Sequence, residues 1–296
     1  MGYSFRTKGL RVAGLAILAA VPVLPAELKP ETVQAWNNYV EAVNARNRTH
    51  LEPGGSFLSI EESPDRMSRL HAGNIIVSPS GPHVPLSVPP GLIHDWVGAA
   101  FIPNVTIPDV LQVVRDYQRY KDVYHPNVVE STPLAASDRE DRFSLLLMNR
   151  SVVGKTALDS DYQCSYTRVD DRHLYSITEA KRVRQIEDYG TAAQHILPED
   201  EGTGLIWRLY SIARYEERDG GVYVEVEAIA LSRDIPFSLR WLVDPIVRRI
   251  SRSSLATSLK QTEDAVLSGG NRLSRASATQ DQAPSGRASV VHSSFH

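Results

Sequence analysis

Between residues 128 and 233, apolar side chains recur at every second position, which is the period of strands that bury one face. Short turns separate several of these stretches, most plainly at Val169–Arg172 and Arg218–Gly221. The stretches follow one another without the helices that parallel crossovers require, so we expect an antiparallel meander. The predicted strands are Val128–Pro133, Arg142–Val153, Tyr162–Val169, Leu174–Ile186, Gly204–Glu216 and Val222–Arg233.

A strand and a helix are predicted just before this meander. Leu92–Ile102 is an apolar run rich in β-forming residues. Thr106 and Asp109 then have the spacing of a capping box, which predicts the start of an amphipathic helix. The apolar face of that helix carries Val110, Val113, Val114, Tyr117, Tyr120 and Tyr124.

A longer helix is predicted after the meander. Asp244 suits an N-cap, Pro245 suits the first turn, and Gly269 and Gly270 end the pattern. One face carries Val247, Ser251, Leu255, Leu259, Thr262 and Val266 at helical spacing. Only this helix is long enough to cover the apolar face of the sheet. Its small side chains either allow close packing or leave a space between helix and sheet.

The two ends of the chain differ from this region. Residues 1–26 place three positive charges before the apolar run Val12–Leu24, which predicts a signal peptide cleaved after Ala26 or an uncleaved anchor, with a buried helix as the alternative. We therefore expect export, to the periplasm of a bacterium. Residues 27–90 are predicted to hold an accessory helix, Pro30–Asn47, and a Pro/Gly-rich connector with one short strand at Asn74–Val77. Residues 268–296 have little to bury and are expected to be disordered.

Composition and charge argue against several classes of partner and site. The formal charge is −3, and removing Arg6, Lys8 and Arg11 leaves 29 basic against 35 acidic residues, or −6. A nucleic-acid partner is not expected, because such binders carry a basic footprint. With Cys164 as the only cysteine and nine scattered histidines, we predict no disulfide within the chain, no metal site and no cofactor. The sequence contains no GxGxxG, P-loop, HExxH or GxSxG motif.

The order of elements resembles a known superfamily. The segment Gly91–Gly98 leads into the capped helix that ends at Tyr120, and the hairpin at Arg218–Glu225 leads through Leu231–Pro236 into the terminal helix. Together these features resemble the START-like, helix-grip superfamily of lipid-transfer proteins, polyketide cyclases and Bet v 1-like plant proteins. The resemblance covers residues 91–267 and implies an α+β fold in which a twisted antiparallel sheet wraps around the C-terminal helix. It also implies an apolar or amphipathic ligand between the sheet and that helix.

The candidate ligand contacts follow from strand alternation and from the resemblance. Tyrosine and tryptophan combine apolar area with one hydrogen bond, so they suit such a cavity, although they equally suit a filled core. The acidic face of the last strand, which includes Glu225, faces either solvent or a wet cavity. The predicted cavity residues are His94, Trp96, Tyr117, Tyr120, Trp207, Tyr215, Glu225, Arg233 and Trp241.

Two further features of the sequence each allow two interpretations. His94 beside Trp96 is a candidate for orienting a polar head group or for acid/base catalysis, but Asp95 points to the opposite side of the strand. A basic cluster near the start of the terminal helix is either a solvated face or a contact with anionic lipid head groups at a membrane. Its members are Arg240, Arg248, Arg249 and Arg252.

Three functions are consistent with the sequence. The first is an exported carrier of a lipid, quinone or other apolar small molecule, favoured by the leader and by the lack of catalytic motifs. The second is a cyclase or aromatase-like enzyme in which His94 and a cavity tyrosine or arginine position the substrate. The third is a structural envelope protein whose apparent cavity is filled by side chains.

Overall fold

The computed structural model describes residues 26–52, 54–151, 154–235 and 237–281. Twelve strands and five α-helices lie within these ranges. The strands are β1 (Ala26–Glu27), β2 (Ile76–Pro79), β3 (Leu86–Val88), β4 (Gly91–Pro103), β5 (Val128–Ala136), β6 (Glu140–Ser151), β7 (Gly154–Arg168), β8 (His173–Glu187), β9 (His195–Ile196), β10 (Glu201–Gly202), β11 (Arg208–Arg218) and β12 (Gly221–Arg233). The helices are α1 (Pro30–Thr49), α2 (Pro64–His71), α3 (Ile107–Val114), α4 (Tyr120–Val123) and α5 (Phe237–Asp281).

The predicted antiparallel meander is confirmed. The main sheet has the order β2-β4-β12-β11-β8-β7-β6-β5, with β3 also on β4 and β9 on β8. Every pairing in it is antiparallel. The turn between β11 and β12 places Asp219 at φ 57° and Gly220 at φ 76°, which is the left-handed pair that a tight hairpin turn requires.

Helix α5 packs on one face of this sheet, here called the inner face. Leu255, Leu259 and Val266 of α5 join an apolar cluster with inward side chains of β4 and β12. The helix comes closest at Gly98 of β4, where an added Cβ would lie 2.8 Å from Leu255 Cγ and 2.8 Å from Leu259 Cδ1. The α+β helix-grip fold expected from the sequence is therefore the fold of this chain.

The opposite, outer face of the sheet is covered by residues that precede β4. Trp36 and Val43 of α1 pack in one apolar cluster with Ile93, Ile229 and Leu231. A second outer cluster joins the segment before β2 to β4 and β12, through residues that include Phe57, Leu58, Leu70, Phe101 and Tyr223. The segment 27–90 was predicted to be an accessory helix and a connector. In the structure it is a third layer, because the outer face of this sheet also carries apolar residues that become buried.

Both helices that the sequence predicted near the cavity differ from expectation. The helix expected to run through Tyr124 ends at Val114, and a 3₁₀ turn at Tyr117–Arg119 redirects the chain into α4. Helix α5 begins at Phe237, before the predicted N-cap Asp244, and contains Pro245 in its interior. It also continues through Gly269 and Gly270, the predicted end, to Asp281. Residues 268–281, which were expected to be disordered, are therefore helical. No helix among the described residues is both long enough and apolar enough to cross a membrane.

Candidate functional site

A cavity of about 330 Å³ lies between the sheet and α5. Its walls come from the segment between α3 and β5, from the inner faces of β6, β7, β8, β11 and β12, and from α5. The lining residues are Val114, Tyr117, Tyr120, Tyr124, Asn127, Val128, Phe143, Leu145, Leu147, Cys164, Tyr166, Ser176, Thr178, Ala213, Tyr215, Val224, Val226, Leu255, Ser258, Leu259 and Thr262. None of these residues carries a formal charge, so the described wall is apolar and aromatic with a few small hydroxyl groups.

Five tyrosines surround the cavity, and a sharp turn after α3 places three of them there; Tyr166 and Tyr215 come from β7 and β11. The turn places Tyr117, Tyr120 and Tyr124 around the space instead of along one helical face. Their rings contact one another, with centroids 5.2 Å apart for the first pair and 4.8 Å for the second. Phe143 stacks on Tyr117 at a centroid distance of 4.1 Å. The result is an aromatic wall that offers ring faces and edges to a ligand.

The hydroxyl groups of at least four of these tyrosines bond to the protein. The Tyr117 hydroxyl donates to Asp141 Oδ2 at 2.9 Å and lies 2.8 Å from the Tyr166 hydroxyl. Tyr120 donates to the Val114 carbonyl at 2.5 Å. The Tyr124 hydroxyl lies 3.0 Å from Thr262 Oγ1 of α5. Because these hydrogen bonds stay within the protein, the cavity can be lined by tyrosines without leaving their polar atoms unpaired.

Burial suppresses acid/base chemistry in this cavity. It raises the pKa of the tyrosine hydroxyls at 117, 120, 124, 166 and 215 above the usual value near 10. It also raises the pKa of the Cys164 thiol. All of these groups are therefore neutral near pH 7, and none of the described lining residues offers a carboxylate, an imidazole or a thiolate. A wall of this kind binds apolar surface.

Solved structures with a similar fold include a lipid transfer protein and an aromatase/cyclase. The STAR-related lipid transfer protein fragment from Xanthomonas axonopodis is 20% identical, with 64% of this chain and 98% of that chain covered at a TM-score of 0.43. Human STARD10 is 12% identical over 79% of this chain and 93% of that chain, at 0.41. The Zhui aromatase/cyclase from Streptomyces sp. R1128 is 13% identical over 59% of this chain and 96% of that chain, at 0.37. No family model and no curated protein matches the chain. At these values no ligand or residue role transfers to this chain.

Three of the predicted cavity residues, Tyr117, Tyr120 and Tyr215, line the cavity. His94 and Trp96 face the α5 side of β4 but do not line it. His94 Nε2 lies 2.9 Å from Ser232 Oγ, and Trp96 is packed in the core under α5. His94 is 8% exposed, and its acid/base role stays a prediction.

Three predicted residues lie elsewhere for reasons of sheet geometry. Trp207 precedes the regular part of β11 and packs in the outer cluster with Leu28 and Trp36. Arg233 ends β12, where its guanidinium reaches the Thr203 carbonyl at 3.3 Å. Glu225 points from β12 to the outer face, so it meets neither solvent nor the cavity. Residues 59–60 cover Glu225, which is 0% exposed. Glu227, on the same face, lines a polar pocket of about 130 Å³ together with Arg46.

The outer face holds a cluster of charges around Glu225, which is buried except for the half-exposed Arg46. Arg214 Nη1 donates to Glu225 Oε1 at 2.9 Å, and these side chains are 1% and 0% exposed. Arg46 of α1 bonds to Glu227 and lies 3.6 Å from Asp95. Burial, followed by the charge of Glu227, raises the pKa of Asp95 to about 7. We call these five residues the outer ion cluster; they attach α1 to the sheet.

The structure describes the side chains of three of the four arginines that were predicted to form a basic cluster on α5. Arg248, Arg249 and Arg252 are exposed. The side chains of Arg240 and Trp241 lie outside the described residues. Contact of this surface with a membrane stays a prediction.

Sequence reasoning missed several cavity residues, among them Phe143, Tyr166 and Cys164. Alternation could have found them, because Phe143, Leu145 and Leu147 share one face of β6, and Cys164 and Tyr166 share one face of β7. The missing information was which face α5 covers, and this depends on packing between distant segments.

Proposed function

We propose that this protein is an exported binding or carrier protein that holds an apolar small molecule, such as a lipid or a quinone, between its sheet and α5. The uncharged, tyrosine-rich cavity is the observation that carries the proposal. Its volume of about 330 Å³ lies at the lower end of the range usual for small-molecule sites. This size favours a single acyl chain or a compact ring system over a lipid with two long chains.

A cyclase or aromatase on the same fold is the second candidate, and the cavity supports it less well. Such a reaction needs a group that exchanges protons near neutral pH. The titratable groups in the described lining are tyrosines and Cys164, and burial moves their pKa values upward, away from neutrality. Binding by apolar burial requires no such group.

The proposal also includes export of the protein and contact with a membrane surface. Export rests on the three positive charges and the apolar run of residues 1–26. A carrier of apolar molecules must collect them from a membrane or from another protein. The exposed Arg248, Arg249 and Arg252 on α5 would favour an anionic membrane surface, at roughly 1 kcal/mol for each side chain near it.

Two serines of α5 allow a matched test. Ser258 lines the cavity, whereas Ser254 is exposed on the same helix. We expect Ser258→Phe to place a ring in the cavity and to weaken binding of an environment-sensitive apolar dye by at least about tenfold. Ser254→Phe adds the same ring at the surface and should leave dye binding unchanged.

Native mass spectrometry with organic extraction of the protein from an exporting host complements this test. A discrete co-purifying apolar molecule that is lost in Ser258→Phe and kept in Ser254→Phe would support the carrier function. Equal dye binding by both variants and the wild type would show that the dye binds elsewhere and would refute the proposed site. If no apolar dye or single-chain lipid binds the wild type, the function itself is refuted.

A further inference from the structure

A second pocket adjoins the apolar cavity and has the opposite character. It has a volume of about 540 Å³ and lies between the end of α3, the β5–β6 turn and the β7–β8 hairpin. Three arginines line it, Arg115, Arg139 and Arg168, against one carboxylate, Asp138. We call it the basic pocket. Counting Asp141, which pairs with Arg115, these residues still carry a net charge of +1.

The arginines of the basic pocket retain free hydrogen-bond donors. Arg115 is held by Asp141, with Nε and Nη2 donating at 2.9 and 2.7 Å, and by the Ser137 carbonyl at 2.5 Å. None of these bonds uses its Nη1, so the guanidinium is fixed while two N–H groups remain available within the described residues. Arg168 makes one long bond, 3.4 Å to the Asp170 carbonyl. A fixed guanidinium with unused donors suits a carboxylate or a phosphate group.

Tyr166 connects the two pockets. Its side chain lines both the apolar cavity and the basic pocket. The Arg115 guanidinium lies 4.7 Å from the centre of its ring, and its hydroxyl lies 2.8 Å from that of Tyr117. The two pockets are thus one side chain apart, with apolar surface on one side of Tyr166 and cationic surface on the other.

We propose that the ligand is an amphipathic anion whose apolar part occupies the cavity and whose carboxylate or phosphate head lies in the basic pocket against Arg115, Arg139 and Arg168. The proposal rests on the proposed binding function and adds the charge of the ligand to it. Without the basic pocket, an acidic head would have no partner, because the described lining of the apolar cavity is uncharged.

Dodecanoate and dodecanol, which share one chain and differ in the charge of the head, test the proposal by calorimetry at pH 8 and low salt. The wild type should bind the acid about tenfold more tightly, because hydrogen bonds between charged partners are stronger than neutral ones. The double variant Arg139→Gln/Arg168→Gln should lose this advantage and keep its affinity for the alcohol. Arg115 is left intact because Asp141, which is fully buried, would lose its partner.

Arg142→Gln is the matched control, because this exposed arginine of β6 does not line the basic pocket. It should bind both compounds as the wild type does. Equal binding of acid and alcohol by the wild type would overturn the charged-head proposal and leave the carrier function standing. If dodecanol also fails to bind, the carrier function is the part that fails.

Inorganic phosphate separates a head group from a free anion. The proposal expects phosphate alone to bind at least about a hundredfold more weakly than dodecanoate, since it gains nothing from apolar burial. Phosphate that binds as tightly as dodecanoate, and that loses this affinity in the double variant, would make the basic pocket a free-anion site and overturn the proposal.

Discussion

The Glu225 carboxylate accepts four hydrogen bonds on the outer face, so its replacement tests how the N-terminal layer is attached. It accepts from Arg214 Nη1 at 2.9 Å, from Ser59 N and Ser59 Oγ at 3.0 Å each, and from Ile60 N at 2.8 Å. Glu225→Gln keeps the shape but turns one acceptor oxygen into an NH₂ group that faces donors. It also leaves Arg214, 1% exposed, without its closest carboxylate.

We expect Glu225→Gln to lower the free energy of unfolding by about 3–5 kcal/mol, the usual cost of removing one partner of a buried ion pair. At roughly 2–4 °C per kcal/mol, the melting temperature should fall by about 6–20 °C. Urea denaturation measures the free energy directly. Glu130→Gln, at an exposed position of β5, is the control and should stay within about 0.5 kcal/mol of the wild type.

A double-mutant cycle identifies the cause of this loss. In Arg214→Met/Glu225→Gln no unpaired charge remains, so the double variant should lose about 2 kcal/mol less than the sum of the two single variants. Limited proteolysis should also cut residues 51–63 faster in Glu225→Gln, because the backbone bonds at Ser59 and Ile60 are weakened. Strict additivity, or a loss below about 1 kcal/mol, would refute the view that this pair fastens the outer layer.

Three further predictions concern packing, pH and access to the cavity. Gly98→Val should destabilise the fold by about 1–3 kcal/mol in urea denaturation because α5 lies directly on Gly98, whereas Gly81→Ala, in open space, should not. The pKa of Asp95 is raised to about 7 from about 4 in the unfolded chain, so its contribution to stability is present below pH 4 and lost as the pH rises through 7. Asp95→Asn should therefore gain stability relative to the wild type, by up to about 4 kcal/mol, between pH 4 and pH 8; a constant difference would contradict this reasoning. Alkylation of Cys164, buried in the cavity wall, should slow when the cavity is occupied, and a rate unchanged by saturating ligand would place the ligand elsewhere.

The sheet was largely predictable because alternation and hairpin turns are local properties of the chain. Strands β4, β5, β6, β8, β11 and β12 and the turn at Asp219 and Gly220 needed no information about distant residues. The first half of β7 and the short strands β9 and β10 were not predicted. For each strand, alternation predicted which residues share a face, but not which of the two faces another element covers. Alternation separated Glu225 and Glu227 from Val224 and Val226, but it did not show that α1 covers the acidic side.

The N-terminal layer carries the signal that sequence reasoning overlooked. Arg46 and Asn47 stand at the end of α1, and they meet Glu227 and Arg214 on the sheet. Charged groups are rarely buried without partners, so an acidic strand face next to small apolar residues could have been matched to this helix. That match joins residues 181 positions apart, which no local pattern specifies.

The cavity gives the last prediction, because an empty space and a filled core respond in opposite ways to added volume. A space of about 330 Å³ has room for a phenyl ring without displacing the atoms around it. Ser258→Phe should then leave the melting temperature of the ligand-free protein unchanged or raise it, while a packed core would lose about 1–3 kcal/mol to the same ring. Conversely, a ligand at a hundred times its Kd should stabilise the wild type by about 2.7 kcal/mol and the variant by much less. A variant that is both destabilised and still stabilised by the ligand would mean that the space beside Ser258 is filled by the protein itself, and that the ligand binds at another place.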